Sequence, residues 1–305
     1  MSVINTNVAA NNTYRLMSQA SEDKASSMEK LSSGLRINRA ADDAAGLSIA
    51  EGLRSQANGL EVAARNIGDA VSLAQTAEGG LSVAHDILQR MRDLAVQAGN
   101  ETNNTEARGA ITGEVKALAE ELVRMSKSIE FNGQNLLGTG TNTGADGASF
   151  TFQVGANGTL DDGTTINDQI TLGIKTNLAA LVGNEAGDEG ALGLTVAANG
   201  SVTVADTVFA DATAAAAFIS KVDDAIKSVS DDRSNIGAVQ NRLEHTLKHV
   251  NVTQENLTNA ESRIRDVDMA KEIVKQSAAN IKEQASQAML AQANQASQGV
   301  LQLLR

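Results

Sequence analysis

The 305-residue sequence contains no proline, no cysteine and no tryptophan, and only 2% of its residues are aromatic. Average usage would supply roughly 15 prolines, and because proline breaks helix interiors, its absence favours long uninterrupted helices. Without cysteine the chain has no disulfides, thiolate metal sites or cysteine nucleophiles. Aromatic residues usually dominate core and pocket energetics, so their scarcity argues against a compact enzyme and favours an aliphatic core shared between helices.

Basic residues and long apolar runs are also scarce. The net charge of -12 argues against nucleic-acid binding, which needs a basic face. No run approaches the roughly 18 apolar residues of a membrane span. The segment 1–16 lacks the basic and apolar regions of a cleavable signal peptide. We therefore expect no membrane insertion, and any export must use a route that does not read such a signal.

Apolar residues recur every seven positions in the N-terminal half, in two interleaved rows. Eleven of the twelve positions are apolar, which is typical of a coiled-coil helix. The rows are Leu53, Leu60, Ile67, Ala74, Leu81 and Leu88, with Gln56, Ala63, Ala70, Ala77, Ala84 and Met91. Glycines within this segment cost about 1 kcal/mol each relative to alanine, so the helix must be stabilised by packing against partners.

The C-terminal half carries a matching pattern, and a third helix is predicted between the two. Ile236, Leu243, Val250, Leu257 and Ile264 are seven residues apart. The economical interpretation is that this seam packs against the N-terminal one in a single bundle. The third helix is predicted over 105–129, with one apolar face made of Ala117, Leu118, Leu122 and Met125.

The middle of the chain is predicted to form strands and turns. Apolar residues alternate in 149–154 and in 169–174, and the turn signals NG and DG lie between them at 157–158 and 162–163. A second hairpin is predicted over 194–204. The predicted fold class is therefore mainly α: a long coiled-coil-like helical bundle of N- and C-terminal segments, with β-hairpins and a small insertion in the middle.

Two adjacent carboxylates, Asp42 and Asp43, are the strongest candidates for acid–base chemistry. The competing interpretation is structural, because Asp favours a helix start, where it meets the positive end of the helix dipole. Arg36 and Arg39 lie one turn upstream and could pair with them. We favour the helix start and predict no catalytic residue.

Two histidines are further candidates for a metal site. His245 and His249 have the i, i+4 spacing of two zinc ligands on a helix, but no third ligand and no HExxH motif is evident. A solvated helix face is the better interpretation, and we predict no metal and no cofactor.

The C-terminal segment has too little apolar surface to order by itself. Residues 278–296 contain seven alanines and several glutamines. Such a helix buries too little to become ordered as a monomer and needs neighbours.

Both ends of the chain resemble bacterial flagellin. The blocks LSSGLRINRAADDAAGLSIAEGLRSQ (31–56), NIGDAVSLAQTAEGGL (66–81) and IEFNGQNLL (129–137) resemble its N-terminal signature. The C-terminal signature is matched by GAVQNRLEH, NAESRIRDVDMA and AMLAQANQASQGVLQLLR. The matching regions cover roughly 1–176 and 212–305, in order.

The resemblance implies a layered architecture and a structural role in swimming motility. Residues 1–44 and 264–305 would form the terminal helices of a filament core, and 45–176 with 211–263 a helical rod with a β-hairpin. Residues 177–210 would be a small variable surface insertion. The joint between the layers would be formed by Arg36, Arg39, Asp42, Asp43, Arg263, Arg265 and Asp266. The subunit would polymerise into the flagellar filament outside the cell.

The resemblance also implies partners. These are copies of the same chain, a flagellar secretion chaperone, and the hook–filament junction and cap proteins. Export would proceed through the flagellar type III channel, without a cleavable signal peptide.

Host sensors are a further implication of the resemblance. LQRMRDLAVQ (88–97) resembles the stretch of flagellin that Toll-like receptor 5 recognises. The matching residues are Gln89, Arg90, Leu94 and Gln97, with Glu114 on the adjacent helix. An exposed Arg and Leu would also suit a contact between subunits. The C-terminal Val300, Leu301, Leu303 and Leu304 resemble the segment read by NAIP-type cytosolic sensors, and packing in the channel wall is their primary expected role.

Three alternatives to a filament subunit remain open. A hook–filament junction protein has similar ends, but IEFNGQNLL and ESRIRDVDMA favour the filament subunit. Some flagellins carry a metallopeptidase in the middle, which the missing HExxH and the short insertion disfavour here. A free coiled-coil adaptor would not need the Ala- and Gln-rich tail.

Overall fold

The computed structural model describes residues 7–138, 143–144, 147–157, 168–183, 190–196, 201–204 and 208–303, without the side chains of 143–144, 147 and 296–303. Six helices and seven strands occur in these ranges. In chain order they are α1 (Val8–Ser33), α2 (Ala44–Ala98), α3 (Thr105–Ser128), β1 (Glu130–Phe131), β2 (Gln134–Asn135), β3 (Thr143–Gly144), β4 (Gly147–Gln153), β5 (Gln169–Ile174), α4 (Leu178–Val182), β6 (Thr195–Val196), β7 (Val202–Thr203), α5 (Ala212–Arg265) and α6 (Met269–Leu303). The predicted mainly helical fold class is confirmed.

The chain forms two compact units. The terminal unit comprises Met1–Ala57 with Gln254–Arg305, and the central unit comprises Asn58–Thr253. No helix in the described part of the chain is both long and apolar enough to cross a membrane.

The central unit buries the predicted heptad rows of α2. Leu81, Leu88 and Met91 are among its fully buried side chains. Ten of the twelve predicted positions are buried, and the two exceptions are the half-buried Leu53 and the exposed Gln56. Gly80 allows a close approach, because an added Cβ would lie 2.6 Å from the Cδ1 atom of Ile129.

Helix α5 supplies the matching seam and runs antiparallel to α2 in the central unit. Ile236, Leu243 and Val250 are buried, as predicted, whereas Leu257 and Ile264 of the same row are half-buried. Two ion pairs define the direction of packing. Arg92 lies 2.6 Å from Asp223, and Glu78 lies 3.4 Å from Arg233.

Helix α3 has nearly the predicted bounds, but its apolar face was partly wrong. Ala117 is exposed and Leu118 only half-buried. The buried residues are Ile111, Val115, Ala119, Leu122, Val123, Met125 and Ser126. The prediction placed the face one residue out of register in the middle of the helix, where apolar residues are adjacent.

The strands of the middle segment pair as predicted. Phe150 is paired with Leu172 and Phe152 with Ile170 in the antiparallel ladder of β4 and β5. The second predicted hairpin is formed by β6 and β7, in which Val196 is paired with Val202. The turn residues 158 and 162–163 lie outside the described residues.

The β1–β2 hairpin, the short strand β3 and helix α4 were not predicted. Strands β1 and β2 form a hairpin across Asn132 and Gly133, whose φ values of 51° and 75° are those of a type I′ turn. The Asn–Gly dipeptide was the available signal for it. Helix α4 is a single capped turn, in which the Asn177 side chain accepts hydrogen bonds from the backbone N–H groups of Ala179 and Ala180.

Candidate functional site

The terminal unit contains two chain reversals that pair with each other. After α1, Gly34 adopts a left-handed conformation with a φ of 74°, and its N–H donates to the carbonyl oxygen of Lys30. The Gly34 carbonyl accepts from the N–H of Val267 at 3.0 Å, and the Arg36 N–H donates to the Arg265 carbonyl at 2.6 Å. Leu35 and Asp266 thus form an antiparallel bridge. The bridge ties the α1–α2 connection to the α5–α6 connection.

Asp43 starts helix α2, as the helix-start interpretation predicted. Its Oδ1 accepts from the N–H of Gly46 at 2.9 Å, and its carbonyl accepts from the N–H of Leu47 at 3.0 Å. Gly46 makes room for this cap, because an added Cβ would lie 2.5 Å from Oδ2 of Asp43. Asp268 caps α6 in the same way, since its Oδ1 accepts from the N–H of Lys271.

Asp42 closes the loop before α2. Its Oδ2 accepts from the N–H groups of Arg39 and Asn38, each at 3.0 Å. These backbone hydrogen bonds hold the pKa of the Asp42 carboxyl below its ordinary value, and the charges of Lys30 and Arg39 add to the effect. A carboxylate kept ionised by structural donors is poorly suited to proton transfer.

The two upstream arginines do not form side-chain ion pairs with this Asp pair, so that expectation was wrong. The guanidinium of Arg36 donates to the Ile264 carbonyl, and Arg39 pairs with Glu29 at 2.9 Å. Ile264 is distant in sequence and Glu29 lies in α1, so an argument from local spacing does not detect either partner.

The C-terminal members of the predicted joint lie beside the same bridge. Arg265 lies 3.3 Å from Glu51 and 4.0 Å from Glu261. The Asp266 carboxylate accepts from the Ser262 hydroxyl at 2.5 Å. Arg263 is exposed. The predicted joint residues therefore lie together in the terminal unit, mostly as caps and bridging contacts.

Replacing Asp43 by alanine is expected to destabilise the first turn of α2 by about 1 kcal/mol, because it removes the helix cap. Amide hydrogen exchange in a peptide covering 44–50 should then become roughly fivefold faster. Asp43→Asn is the matched control, since asparagine caps as well as aspartate, and should exchange like the parent chain. Equal exchange in all three proteins would show that the side chain does not cap the helix.

Helices α1 and α6 pack on each other through a narrow stripe of heptad spacing. In α1 the stripe consists of Ala10, Thr13, Met17, Ala20, Lys24, Ser27 and Leu31, and in α6 of Glu272, Gln276, Ala279, Glu283, Ser286, Leu290 and Ala293; Lys30 and Asn280 are also half-buried. Only three of these fourteen residues are large and apolar. The seam between the two helices is thus made mostly of small and polar side chains.

Polar contacts cross this seam. Glu272, 5% exposed, accepts from the Ser27 hydroxyl at 2.8 Å and pairs with Lys275 at 2.9 Å. Its pKa is lowered chiefly by the hydrogen bond from Lys275, despite the opposing effect of burial. Lys24 pairs with Glu283 at 2.9 Å, and the Asn7 amide donates to the Ala293 carbonyl at 3.0 Å.

The large apolar residues of the terminal unit lie outside the seam. Among the described residues, fourteen large hydrophobic side chains are exposed, and ten belong to this unit. They are Val8, Tyr14, Leu16, Met28, Ile49, Met269, Ile273, Val274, Ile281 and Met289. We call the eight among them on α1 and on α6 after its first residue the outer apolar set, namely Val8, Tyr14, Leu16, Met28, Ile273, Val274, Ile281 and Met289. Its members are 49% to 69% exposed.

The residues predicted for receptor recognition lie on α2 and α3 in the central unit. Arg90 donates to the Glu114 carboxylate through Nε at 2.9 Å and Nη2 at 2.7 Å. Gln89 and Gln97 are exposed. Leu94 is only 2% exposed, so the expectation of an exposed leucine was wrong. Leu94 lies on the seam side of α2, and its side chain contributes to the core.

Other candidate residues form no site. His245 and His249 are exposed, and the described residues include no cluster of ligands that could hold a metal ion. Leu304 lies outside the described residues, as do the side chains of Val300, Leu301 and Leu303. The two unusual features of the terminal unit are the exposed outer apolar set and the mostly small and polar side chains of the α1–α6 seam.

Family models match both ends of the chain, and relatives match 99% of it. The profile described as "Bacterial flagellin N-terminal helical region" matches residues 4–143, and "Bacterial flagellin C-terminal helical region" matches 219–304. Flagellin of Bacillus subtilis (strain 168) is 49% identical over 99% of both chains. The "Flagellar filament 33 kDa core protein" of Treponema phagedenis is 42% identical, over 99% of this chain and all of that protein. The crystal structure of Bacillus cereus flagellin is 27% identical and covers 61% of this chain and 88% of its own, with a TM-score of 0.44.

Proposed function

Because the chain belongs to the bacterial flagellin family, and is thus a structural subunit of the flagellar filament and not an enzyme, we propose that it self-assembles by burying its outer apolar set. The partners in this proposal are other copies of the same chain. In this proposal the chain acts outside the cell as part of the assembled filament, which serves swimming motility.

The observation that carries the proposal is the reversed distribution of side chains in the terminal unit. A helix pair stabilised as a monomer places its large apolar residues in the seam. Here the side chains of the seam are mostly small and polar, while large apolar residues such as Tyr14, Val274 and Ile281 are exposed. Fully burying one Val, Leu or Ile side chain contributes about 1.5–3 kcal/mol, so covering this set with neighbouring copies supplies a large driving force.

An open polymer follows if the contacts are heterologous. A surface that meets a different surface on the next copy generates a helix when the rotation does not close into a ring. We assign the layers of such a polymer as 1–44 with 264–305 in the core, 45–176 with 211–263 around it, and 177–210 as a surface insertion. In this assignment the bridge at Leu35 and Asp266 holds the joint between the layers.

Export and accessory partners extend the proposal by family analogy. The chain would leave the cell through the flagellar type III channel, with a secretion chaperone covering α6 before assembly. An apolar set as exposed as this one needs a cover while the chain is still a monomer. The hook–filament junction and cap proteins would meet the same surfaces at the ends of the filament.

Recognition by host sensors is also proposed, with a revised set of residues. Gln89, Arg90, Gln97 and Glu114 form an exposed group in which Arg90 and Glu114 are already paired. Leu94 would act by packing beneath this surface. Toll-like receptor 5 is the proposed partner here, and NAIP-type sensors are proposed for the C-terminal leucines.

Assembly should depend on the terminal segments. We expect the full chain to form filaments in concentrated sulfate, which strengthens apolar burial, when examined by electron microscopy. The fragment 45–263 lacks α1 and α6 and should form none under the same conditions. Failure of the full chain to polymerise, even with added filament seeds, would favour a junction protein or an adaptor instead.

A further inference from the structure

The α1–α6 seam raises a problem of specificity. Apolar burial usually selects which helices pair and in what register. In this seam, Met17, Leu31 and Leu290 are the only large apolar residues in the covered stripe, among the described side chains. Alanine and serine fit against many partners, so these small residues discriminate poorly between the correct pairing and a shifted one.

The bridge at Leu35 and Asp266 fixes the pair at one end only. It lies where α1 ends and α6 begins. Beyond it, burial decreases along the helices. Ser27, Glu272, Ala20 and Ala279 are buried, but no described side chain of α1 before Ala20 or of α6 after Ala279 is. Apolar burial alone therefore sets the register of this pair only weakly. At the outer end the Asn7 amide donates to the backbone carbonyl of Ala293, an acceptor that every residue supplies and that does not select one register.

We infer that two polar contacts, Lys24–Glu283 and Ser27–Glu272, determine the partner and register of α1 and α6. Each joins α1 to α6 across the seam, at 2.9 Å and 2.8 Å. This inference deepens the proposed self-assembly and rests on it, because correct pairing keeps the outer apolar set facing outwards. Many identical α1 and α6 helices come together in a polymer, so each α1 must be kept with the α6 of its own chain.

A shift of α6 by one heptad relative to α1 would remove both polar contacts. Ser27 faces Glu272, and Ala20 and Ala279 lie one heptad further along each helix. Moving α6 by seven residues would place Ala279 against Ser27 and remove Glu283 from Lys24. The Glu272 carboxylate would keep Lys275, which is on the same helix, but would lose its hydroxyl donor Ser27. Losing a hydrogen bond to a buried charged group is costly. Small residues tolerate the shift, whereas the polar contacts do not.

The mechanism resembles the use of a single polar residue to fix coiled-coil register. A buried polar group lowers stability somewhat but penalises every alternative in which it has no partner. Glu283 is better shielded than an ordinary surface carboxylate, with 19% of its side chain exposed. Its pair with Lys24 is therefore screened less than a fully exposed pair.

Charge reversal tests this assignment in the full chain. Because the chain has no cysteine, Ala20→Cys with Ala279→Cys gives a cross-linkable background in which a short bismaleimide reports the native register. Under assembly conditions, Lys24→Glu or Glu283→Lys should slow intrachain cross-linking roughly fivefold. The combined Lys24→Glu/Glu283→Lys chain should recover the background rate to within about twofold. Arg65→Glu, which breaks the exposed pair with Glu61 in the central unit, is the control and should change nothing.

The second contact is tested in the same background. Glu272→Ala should slow intrachain cross-linking about tenfold, and interchain products should increase. Glu272→Gln keeps an acceptor for Ser27 and should lie between Glu272→Ala and the background. If the single charge reversals cross-link like the background, or if the double reversal stays as slow as the single ones, the polar contacts do not select the pairing.

Electron microscopy of the same samples separates this inference from the proposed function. A background chain that forms filaments, with cross-linking insensitive to charge reversal, overturns the inference alone. If the unsubstituted chain also forms no filaments, the proposed function is overturned, and the cross-linking rates still report whether the polar contacts set the register of the pair.

Discussion

Replacing Val274 and Ile281 together by serine is expected to raise the critical concentration for filament assembly by about a hundredfold or more. The two side chains are 68% and 66% exposed and lie one heptad apart on the outer side of α6. Burying each against a neighbouring copy contributes about 1.5–3 kcal/mol, and every 1.4 kcal/mol is a factor of ten. Serine has a helix propensity close to that of valine and isoleucine, so the substitution tests burial and not helix formation.

The matched control keeps the hydrophobic character at both positions. Val274→Leu with Ile281→Leu should assemble at a critical concentration within a fewfold of the parent chain. The measurement is the monomer concentration left in solution after sedimentation of the filaments, at fixed sulfate concentration. An unchanged value in the serine protein would mean that this part of α6 stays exposed in the polymer.

Replacing Leu88 by alanine is expected to destabilise the central unit by about 2–5 kcal/mol, because it leaves a cavity in the core. The Leu88 side chain is fully buried in the seam of α2, as are Leu81 and Met91. Urea unfolding of the monomer, followed by circular dichroism, should show a transition at a much lower urea concentration.

Val83 provides the control on the same helix. It lies in α2 and is 50% exposed, so Val83→Ala should change the free energy of unfolding by no more than about 0.5 kcal/mol. Similar transitions for the two alanine variants would contradict the assignment of the heptad rows as the core of this unit. Both alanine variants are measured as monomers, so the comparison reports the stability of the central unit and not the driving force for assembly.

The heptad rows of α2 and α5 could be predicted because their apolar period is strict over many turns. The same reasoning was partly wrong in α3, where Leu118 lies between Ala117 and Ala119 and the apolar face is ambiguous by one residue. Short elements were missed for a different reason. The β1–β2 hairpin and α4 each depend on a two-residue turn or a single cap, which is a weak signal against a helical background.

The candidate site was predictable only where the interactions are local. The Asp43 cap involves residues three and four positions away, and it was read correctly from the sequence. The partners of Arg36 and Arg39 depend on the folded chain, so their pairing was mispredicted. Leu94 was expected to be exposed because the resemblance placed it in a stretch recognised by a receptor, yet its position on the helix places it in the core.

The reversed seam of α1 and α6 could not be derived from periodicity alone. A pattern analysis assigns the stripe containing Val274 and Ile281 to the interior, because it cannot distinguish a side chain buried within one chain from one buried between chains. The folded monomer separates these cases. It leaves the outer apolar set exposed and fills the seam with residues such as Ser27 and Glu272.

The most direct test of self-assembly through the terminal unit is a helical reconstruction of the filament by cryo-electron microscopy. We expect the side chains of Tyr14, Val274 and Ile281 to lose nearly all of their solvent exposure against neighbouring copies, with Ser27 and Glu272 still paired within each chain. A filament in which these apolar side chains remain in contact with solvent, while the copies associate through other surfaces, would contradict the proposal.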